Sequence, residues 1–497
     1  MYHIRKTKTS SKATAVQVVY YLERKMIIAK HIGSGHLAKE VEILLKLAQA
    51  WIKKETKQQG LFDKTKNQSS LTLLDKCEYV GFRYSFIYEV LIKLLDHFEF
   101  STVGNTLFHD LVIIRIIKPA SKLRSLELLK EYFGINHRRQ TFYESLPKLL
   151  SLKDEVESLT VKFAKKELAF DFSLVFYDVT TLYFESFSSD ELRKNGFSKD
   201  NKSQQPQIVI GLMVTRQGFP IAYEVFAGNK FEGHTLIPVV KNFKDKHKIP
   251  TLTIVADAGM ISLENVKALE KNALKYIVGA RMGNISLKTI STISNELNCQ
   301  DGATLRIATT YGDLICAFSK KRYRKDKREM EKQIEKAQNL LKKPKEAKRT
   351  KFLKTTSKTN CELNNSLIEK TKLLLGVKGY YTNLDTSVSN QEIIEHYHNL
   401  WHVEQAFRIA KNDLETRPIF HFKEDAIKVH MLICFMALAV SKYMEIKTNK
   451  SLQQIVNLLK QITDARLFDT LTDKEIILRT KIPEEAKDIL KKMGLSY

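Results

Sequence analysis

The stretch from residue 174 to residue 280 alternates short apolar runs with amphipathic segments, and this alternation restricts the possible folds more than any other feature of the chain. An apolar run at 174–184 is followed, after a polar loop, by runs at 208–215 and 221–226. Runs of this length, bounded by turn residues, predict buried strands. The short loop between the last two runs contains Gly218 and predicts a β-hairpin.

The stretch continues with strands that alternate with helices. Its remaining predicted elements are a helix at 236–244, a strand at 252–256, a helix at 262–271 and a strand at 275–280, with a last strand at 380–384. Antiparallel strands followed by βαβ units predict a mixed sheet with helices on its faces. This order matches the ribonuclease-H-like fold. We therefore predict an α/β protein with a ribonuclease-H-like catalytic core at 165–282 and 373–440.

The regions outside this core are predicted from charge and helical periodicity. Residues 283–372 are predicted to form a basic, partly β insertion domain, because residues 320–354 hold sixteen Lys and Arg against five Asp and Glu. Such an excess favours phosphate contacts, although a solvated helix with paired charges would have a similar composition. Three short helices at 101–155 predict either a helix-turn-helix-like DNA-binding region or a basic bundle. We expect a polar linker at 61–80 and helical N- and C-terminal regions at 1–100 and 441–497. The first of these regions begins with strand-like pieces such as 15–21 before a helix at 37–48.

Three carboxylates stand in otherwise apolar surroundings. Asp178 interrupts the first strand, Asp257 closes the strand at 252–256, and Glu404 lies on the apolar face of a helix predicted over 397–411. An ionised carboxylate in such a setting costs several kcal/mol unless it is paired or binds a cation. If the helix packs beside the sheet, the three acids can converge and hold Mg²⁺ or Mn²⁺, which prefer oxygen ligands. Two such ions, about 3.5–4 Å apart, suit a displacement reaction at phosphorus.

Each acid also has a purely structural explanation. Asp178 could be a hydrogen-bonded acid within the sheet, and Asp257 could be a turn residue or the N-cap of the following helix. Glu404 could pair with Lys411 or Arg408 on the same helical face. The spacing of the acids leaves these alternatives open.

The net charge of +25 points to a polyanionic partner, with nucleic acid as the first candidate and an anionic membrane as the second. The longest apolar stretch, at 430–440, is too short to span a bilayer and predicts a buried helix. The five cysteines are scattered without a CxxC pair, so neither a zinc site nor a disulfide framework is expected. The first residues lack a signal-peptide core, and we expect an intracellular protein.

Several stretches resemble the DDE transposases of bacterial insertion sequences, in the insertion-sequence-four superfamily and especially its 1634-type branch. In chain order they are 177–185, 218–229 with Glu232 and Thr235, 255–260, 397–411 and 417–421. Each stretch is weak alone, but their order and spacing together are specific. The resemblance implies that Asp178, Asp257 and Glu404 are the catalytic triad and the ligands of two Mg²⁺ or Mn²⁺ ions.

The superfamily signature, Y-x2-R-x3-E-x6-K, is matched by Tyr397, Glu404 and Lys411, but Leu400 occupies the arginine position. The resemblance implies that Tyr397 and Lys411 contact DNA, with Arg408 or Arg417 in place of the missing arginine. Trp401 is assigned either to the core or to stacking on a flipped base. The remaining assignments are phosphate contacts by Lys320, Lys321, Arg322 and Arg324, site-lining roles for Asn229, Glu232 and His234, and packing or phosphate contacts for His421 and His430.

The implied function is a DNA transposase that cuts insertion-sequence ends and joins the freed 3′-hydroxyl to target DNA. Its partners would be double-stranded terminal inverted repeats and target DNA, bound by a homodimer on the nucleoid in a bacterial cytoplasm. No nucleotide cofactor is expected, since the sequence lacks a GxxxxGK[ST] motif. The alternatives are a catalytically inactive, transposase-derived DNA-binding protein and a ribonuclease-H-fold nuclease that does not transfer strands.

Overall fold

The computed structural model describes residues 2–23, 25–55, 77–202, 204–260, 262–341, 350–355, 361–470 and 473–496. Most of the predicted linker at 61–80 and part of the basic block at 320–354 lie outside these residues. The chain divides into two compact units, of which the first comprises Met1–Tyr88, Glu131–Gly134 and Leu458–Ala486 and the second comprises Glu89–Lys130, Ile135–Asn457 and Lys487–Tyr497.

The described residues form both strands and helices. The strands are β1 (His3–Lys8), β2 (Thr14–Leu22), β3 (Lys25–Gly35), β4 (Cys77–Arg83), β5 (Leu174–Tyr183), β6 (Gln207–Val214), β7 (Pro220–Ala227), β8 (Thr253–Ala256), β9 (Lys275–Gly279), β10 (Thr304–Thr309), β11 (Gly312–Phe318), β12 (Leu353–Thr355), β13 (Cys361–Leu363), β14 (Val377–Thr382), β15 (Asp464–Asp469) and β16 (Lys474–Arg479). The helices are α1 (Ala38–Glu55), α2 (Ser85–His97), α3 (Thr106–Ile117), α4 (Lys122–Phe133), α5 (Arg139–Leu150), α6 (Lys153–Leu168), α7 (Leu236–His247), α8 (Leu263–Lys271), α9 (Leu287–Leu297), α10 (Lys320–Leu341), α11 (Asn365–Leu373), α12 (Asn390–His398), α13 (Trp401–Arg408), α14 (Glu424–Thr448), α15 (Leu452–Lys460) and α16 (Glu484–Lys492).

The second unit is built on an eight-stranded mixed sheet in the order β10-β11-β14-β9-β8-β5-β6-β7. β5 is antiparallel to β6 and parallel to β8, and β8 is parallel to β9. Every residue of β6 is buried, because helices cover the sheet as the long apolar runs require. The predicted mixed α/β architecture is confirmed, as are the strands at 174–184, 208–215, 221–226, 252–256 and 275–280.

The sheet extends further than the sequence suggested. β10 and β11 were assigned to an insertion domain at 283–372, but β11 pairs antiparallel with β14, which in turn pairs with β9. The two strands therefore belong to the main sheet rather than to a separate β domain. Phe318, at the end of β11, is opposite Val377, at the start of β14.

The chain between those two positions, residues 319–376, makes an excursion away from the sheet. Helices α10 and α11 and the small β12–β13 hairpin lie in this excursion. They share a small core of their own, made by Met330, Ala337, Phe352, Ile368 and Leu375. This core gives the excursion a defined structure beside the sheet.

Helix α14 is the central helix of the second unit. The apolar stretch expected at 430–440 belongs to a helix of 25 residues, which is long and apolar enough to cross a membrane by length and composition. However, 89% of its most apolar window is buried inside the protein. It packs against α3, α5, α6 and β7, so it forms core, as predicted, although it is longer than expected.

The packing of α3 changes the interpretation of the helices at 101–155. The three predicted helices are present as α3, α4 and α5, but α3 is buried over almost its whole length against α14. Arg115, a basic residue of this helix, is itself buried. In a helix-turn-helix the recognition helix must reach the DNA groove, so the burial of α3 does not decide the matter, and DNA binding by α4 and α5 stays a prediction.

The first unit contains the strand expected at 15–21 and the helix expected at 37–48, as β2 and α1, but it has more strands than the expectation of helical terminal regions allowed. At its N-terminal end β1, β2 and β3 form an antiparallel sheet, which packs on α1 through a core that includes Val16, Ile32 and Leu44. A second sheet has the order β16-β15-β4 and joins the C-terminal hairpin to Cys77–Arg83. Sequence periodicity had not indicated these C-terminal strands.

Candidate active site

The sheet brings two of the three predicted acids together. On the parallel strands β5 and β8, Phe176 is aligned with Val255 and Tyr177 with Ala256. The next residues along these strands are Asp178 and Asp257, so the two carboxylates stand on neighbouring strands. β8 ends at Ala256 because the chain turns there, with the Met260 N–H donating to the Asp257 carbonyl at 3.0 Å.

Asp178 lies in surroundings that disfavour its ionised form. Its side chain is 17% exposed, and its Oδ1 accepts a hydrogen bond from the Val179 N–H at 2.7 Å. Burial raises the pKa of Asp178 to about 6, against the lowering effects of Lys199 and of that hydrogen bond, and the nearby Asp257 and Glu232 carboxylates raise it further. The site is therefore a group of mutually repelling acids that a cation would stabilise.

Lys199 supplies part of the missing positive charge. Its ammonium group donates to the Val179 carbonyl at 2.7 Å, is 2.9 Å from Glu232 Oε1 and is 4.0 Å from Asp178 Oδ1. Glu232 was a site-lining candidate, and the structure places it beside Asp178. Lys199 was not predicted, since a lysine in a polar loop has no spacing that relates it to a distant strand.

Tyr397 holds the second aspartate. Its ring is buried, and its hydroxyl donates to Asp257 Oδ1 at 3.2 Å. The hydroxyl passes close to β9, where a Cβ on Gly279 would lie 2.5 Å from it. Glycine at 279 is therefore needed for this approach. The structure places the first residue of the predicted signature against an acid of the site.

The helix that was predicted over 397–411 is broken. α12 ends at His398, and bonds from the N–H groups of Leu400 and Val403 to carbonyls three residues earlier tighten the turn before α13. A π-helical turn, Ile409–Asp413, then follows α13. These changes in pitch remove the single apolar stripe on which Tyr397, Glu404 and Lys411 were expected to lie.

Glu404 is exposed as a result, whereas Val403, Ala406 and Phe407 form the buried face of α13. That face packs against β5 and β6. Trp401, for which the core was one alternative, is 51% exposed and stacks on the ring of His402. The expectation that Glu404 lies on an apolar face is wrong.

The three acids do not form one compact group. Among the described residues, no three His, Cys, Asp or Glu side chains come close enough together to hold a metal ion. The structure thus brings together Asp178 and Asp257 and leaves Glu404 outside their immediate neighbourhood.

Lys378 connects the two parts of the site electrostatically. It extends from β14, with its ammonium 4.6 Å from the ring centre of Tyr397. Burial lowers the pKa of Lys378 and Arg322 lowers it further, while Asp257 and Glu404 act in the opposite direction. Lys378 is thus near enough to both acids to interact with each. This interaction was not predictable from local pattern, because it depends on β14 lying next to β9.

Two of the predicted DNA-binding residues are held by a single acid. Asp200 Oδ2 lies 3.4 Å from Lys411 Nζ and 2.7 Å from Arg417 Nη1. Arg408 is exposed. Neither of the alternative pairs, Glu404 with Lys411 or with Arg408, is among the ion pairs formed in the described part of the chain.

A cleft of about 640 Å³ opens from Asp257 and Tyr397 towards the excursion. Basic residues on its walls come from α10, α11 and their neighbouring segments, namely Arg322, Lys351, Lys370 and Lys378. Arg322 also forms an ion pair with Asp326, with its Nε 3.2 Å from the carboxylate. Lys320, Lys321 and Arg324 are exposed on the first turns of α10. The basic start of α10 is therefore next to the acidic end of β8.

A family model described as the transposase DDE domain matches residues 170–440, which is more than half of the chain. The chain belongs to the transposase DDE domain family. The matched region includes all three acids of this DDE-domain chain, together with Lys199, Lys378 and the whole excursion. No curated protein sequence gives a match.

Two solved structures are similar to this DDE-domain protein at low identity. One is the cryo-EM structure of the piggyBac transposase synaptic complex with hairpin DNA, at 12% identity and a TM-score of 0.40, covering 76% of this chain and 77% of that one. The other is the Mos1 transposase paired-end complex with left transposon end, at 12% identity and a TM-score of 0.16, covering 47% and 66%.

Proposed function

We propose that this protein is the DNA transposase of a bacterial insertion sequence, of the 1634-type branch, which cuts the ends of its element and joins them to target DNA. The family match supports a transposase. The observation that carries the proposal is the position of Asp178 and Asp257 on adjacent parallel strands inside the matched domain. Functional groups in open α/β sheets gather at such strand ends.

The core that carries these acids is, in this proposal, ribonuclease-H-like. Its five central strands have the order β7-β6-β5-β8-β9. The first three are antiparallel to one another, and β8 and β9 continue parallel to β5. This is the arrangement that the order of elements in the sequence predicted.

The residues fit divalent metal binding in their chemistry. Carboxylate oxygens are the ligands that Mg²⁺ and Mn²⁺ prefer, and the raised pKa of Asp178 reflects burial together with neighbouring negative charge. In this proposal Asp178 and Asp257 would hold two such ions, and Glu404, which lies apart from them in this structure, would be the third ligand. When bound, they would activate a hydroxyl nucleophile and stabilise the leaving oxygen at phosphorus.

The other residues would position the DNA. Tyr397 fixes the carboxylate of Asp257 through its hydroxyl, and Lys378 presents a cation that interacts with both Asp257 and Glu404 and would bind a phosphate. In this proposal the phosphate backbone follows the basic cleft and α10, and double-stranded terminal repeats and target DNA are the partners of a homodimer on the nucleoid in the cytoplasm. The backbone contacts are assigned to Arg408, Lys411, Arg417, Lys320, Lys321, Arg322 and Arg324, and Trp401 is assigned to stacking on a flipped base.

The test is a strand-transfer assay with purified protein. Duplexes would carry the inverted repeats that flank the gene, with plasmid as target and Mg²⁺ or Mn²⁺ present. We expect cleavage that exposes a 3′-hydroxyl, followed by a joined product. Asp178→Asn should abolish cleavage and joining and keep DNA binding. The control is Asp171→Asn, which alters an acid near the start of β5 that accepts hydrogen bonds from Ser173, and it should leave cleavage and joining unchanged.

Each other outcome contradicts the proposal in its own way. Cleavage without a joined product would indicate a nuclease. Binding with no cleavage by the unaltered protein would indicate an inactive DNA-binding descendant. Equal loss of binding and cleavage in Asp178→Asn would mean that the acid has a structural role.

A further inference from the structure

Four basic side chains gather in the second unit, away from the acids of the site. Lys122 is at the start of α4, Arg115 on α3, His421 in the segment before α14, and His430 on α14. Lys122 Nζ is 3.5 Å from His421 Nδ1, and the rings of His421 and His430 are 5.2 Å apart. We call these four residues the basic cluster.

The basic cluster is enclosed rather than spread over the surface. Arg115 is 8% exposed and His430 is 6% exposed, while Lys122 and His421 are partly exposed. The ammonium of Lys122 lies 2.9 Å from the ring centre of Phe142. A contact with an aromatic ring offsets only part of the free-energy cost of burying a cation, so the basic groups of the cluster require a further partner.

Among the described residues, no carboxylate shifts the pKa of Lys122, His421 or His430. Burial lowers the pKa of Lys122 to about 7, and the nearby Arg139 lowers it further. Burial also lowers the pKa of His421 to about 3, with Lys122 and Arg115 acting in the same direction. Every charged neighbour that shifts these two groups is basic.

Hydrogen-bonding capacity is unused in the same place. Arg115 donates from Nη1 to the Leu414 carbonyl at 3.5 Å, but its buried Nε has no hydrogen-bond partner within the described chain. The buried hydroxyl of Thr416, whose carbonyl is 3.4 Å from His430 Nε2, also lacks a partner there. Buried polar groups are normally satisfied, so an external acceptor is indicated.

We propose that the basic cluster binds a phosphate group, with Lys122 and His421 at its entrance and Arg115 behind them. A phosphate supplies both the negative charge and the acceptor oxygens that the cluster lacks. The surrounding surface has the composition of a nucleic-acid contact, since Arg139, Tyr143 and Phe420 are all exposed. The assignment of the phosphate to a DNA backbone rests on the proposed function, but the phosphate site itself does not.

The first experiment measures phosphate binding directly. Thermal unfolding would be followed at pH 6.5 in inorganic phosphate and in chloride of equal ionic strength. We expect phosphate to raise the Tm of the unaltered protein and of Lys130→Met, which removes an exposed lysine from the same helix. The rise should be smaller in Lys122→Met. Equal rises in all three proteins would overturn the site.

A second variant covers the case in which Lys122→Met does not fold. His421→Gln keeps the size of the side chain and should reduce the phosphate-dependent rise in Tm in the same way. If His421→Gln retains the full rise, the cluster does not bind phosphate.

The second experiment distinguishes a DNA backbone from free phosphate. With duplex DNA of arbitrary sequence, we expect Lys122→Met to lower affinity roughly tenfold and to reduce the slope of log affinity against log salt by about one. A lost phosphate effect with an unchanged slope would assign the site to free phosphate and overturn the DNA assignment. Neither result depends on cleavage, so a failure of the proposed catalytic function would be seen separately in the strand-transfer assay.

Discussion

The acids around Asp178 and the basic cluster around Lys122 are opposite solutions to the problem of burying like charges. The acids have cations within reach, because Lys199 lies between Asp178 and Glu232, and Lys378 interacts with Asp257 and Glu404. In the basic cluster, by contrast, the charged groups of the described chain that shift the pKa of Lys122, His421 and His430 are all basic, and Lys122 lies over the ring of Phe142. The difference indicates that the acid site is partly neutralised by its own chain, whereas the basic cluster depends on a ligand for its counter-charge.

The strongest test of the comparison is Glu404, the acid that lies apart from the other two. If it completes the metal site, Glu404→Gln should lower cleavage on the order of 10³-fold or more, as for other catalytic groups. Its exposure on α13 predicts an unchanged Tm. Glu395→Gln, on α12, is the control for a lost acid. Cleavage at the normal rate in Glu404→Gln would remove this residue from the catalytic set.

Lys378 tests whether the lysines near the acids also serve the DNA. Lys378→Met should lower cleavage roughly 10–100-fold, which corresponds to one hydrogen bond to a charged group. The loss should disappear on a duplex with a neutral methylphosphonate at the cleaved position, because that substrate offers no charge to bind. Lys370→Met, in the same cleft, should have a smaller effect. An equal loss on both substrates would mean that Lys378 only supports Tyr397.

The repulsion within the acid group should be measurable without DNA. Asp178→Asn should raise the free energy of unfolding by on the order of 1–3 kcal/mol at pH 8 in metal-free buffer, since the amide needs no counter-charge and its oxygen can still accept from Val179. Mg²⁺ should raise the Tm of the unaltered protein and not that of the variant.

The pH dependence of this gain has a definite sign. Burial raises the pKa of Asp178 to about 6 from 3.8, so the folded protein binds more protons than the unfolded chain between these values. The cost of the charged carboxylate therefore grows as the pH rises from about 4 to about 6 and is constant above that range. The advantage of Asp178→Asn should shrink towards pH 4. A constant advantage would mean that packing, not charge, is responsible.

The smallest expected effect concerns the basic cluster. Because burial lowers the pKa of Lys122 to about 7, phosphate should stabilise the protein more at pH 6 than at pH 8.5. Inorganic phosphate itself carries more charge at the higher pH, so ordinary surface binding would give the opposite trend. The titratable or charged groups that face Lys122 or interact with it through the cluster are Arg115, Arg139, Tyr143, His421, His430 and Cys434. A greater stabilisation at pH 8.5 would contradict a role for Lys122.

Much of the central sheet was predictable because its strands are long apolar runs separated by turn residues. Asp178 and Asp257 were recognisable as acids in such runs, and the parallel pairing of β5 with β8 explains why they meet. The break between α12 and α13 was not predictable, because the residues at the break are Asn399 and Leu400, and neither is a proline or a glycine, which usually mark the end of a helix. The exposure of Glu404 depends on that break.

The residues that the sequence did not reveal share one property. Lys199 and Lys378 reach the acids from a loop and from a strand that are distant in sequence, and no periodicity relates them to the site. The same holds for Asp200, which joins Lys411 to Arg417. Ion pairs made by long side chains depend on tertiary geometry, whereas strand positions depend on local pattern.

The chain leaves the sheet after Phe318 and returns to it at Val377, directly opposite on the neighbouring strand. The two ends of the 319–376 segment therefore lie next to each other on paired strands. Because the ends are held by the sheet, the length of the segment does not set the distance between Asp257 and α13. Such a segment can be lengthened, trimmed or exchanged between relatives without rebuilding the scaffold that carries the acids. In the proposed transposase, we therefore expect the DNA contacts of the 319–376 segment to change during evolution without a change in the acids on the sheet.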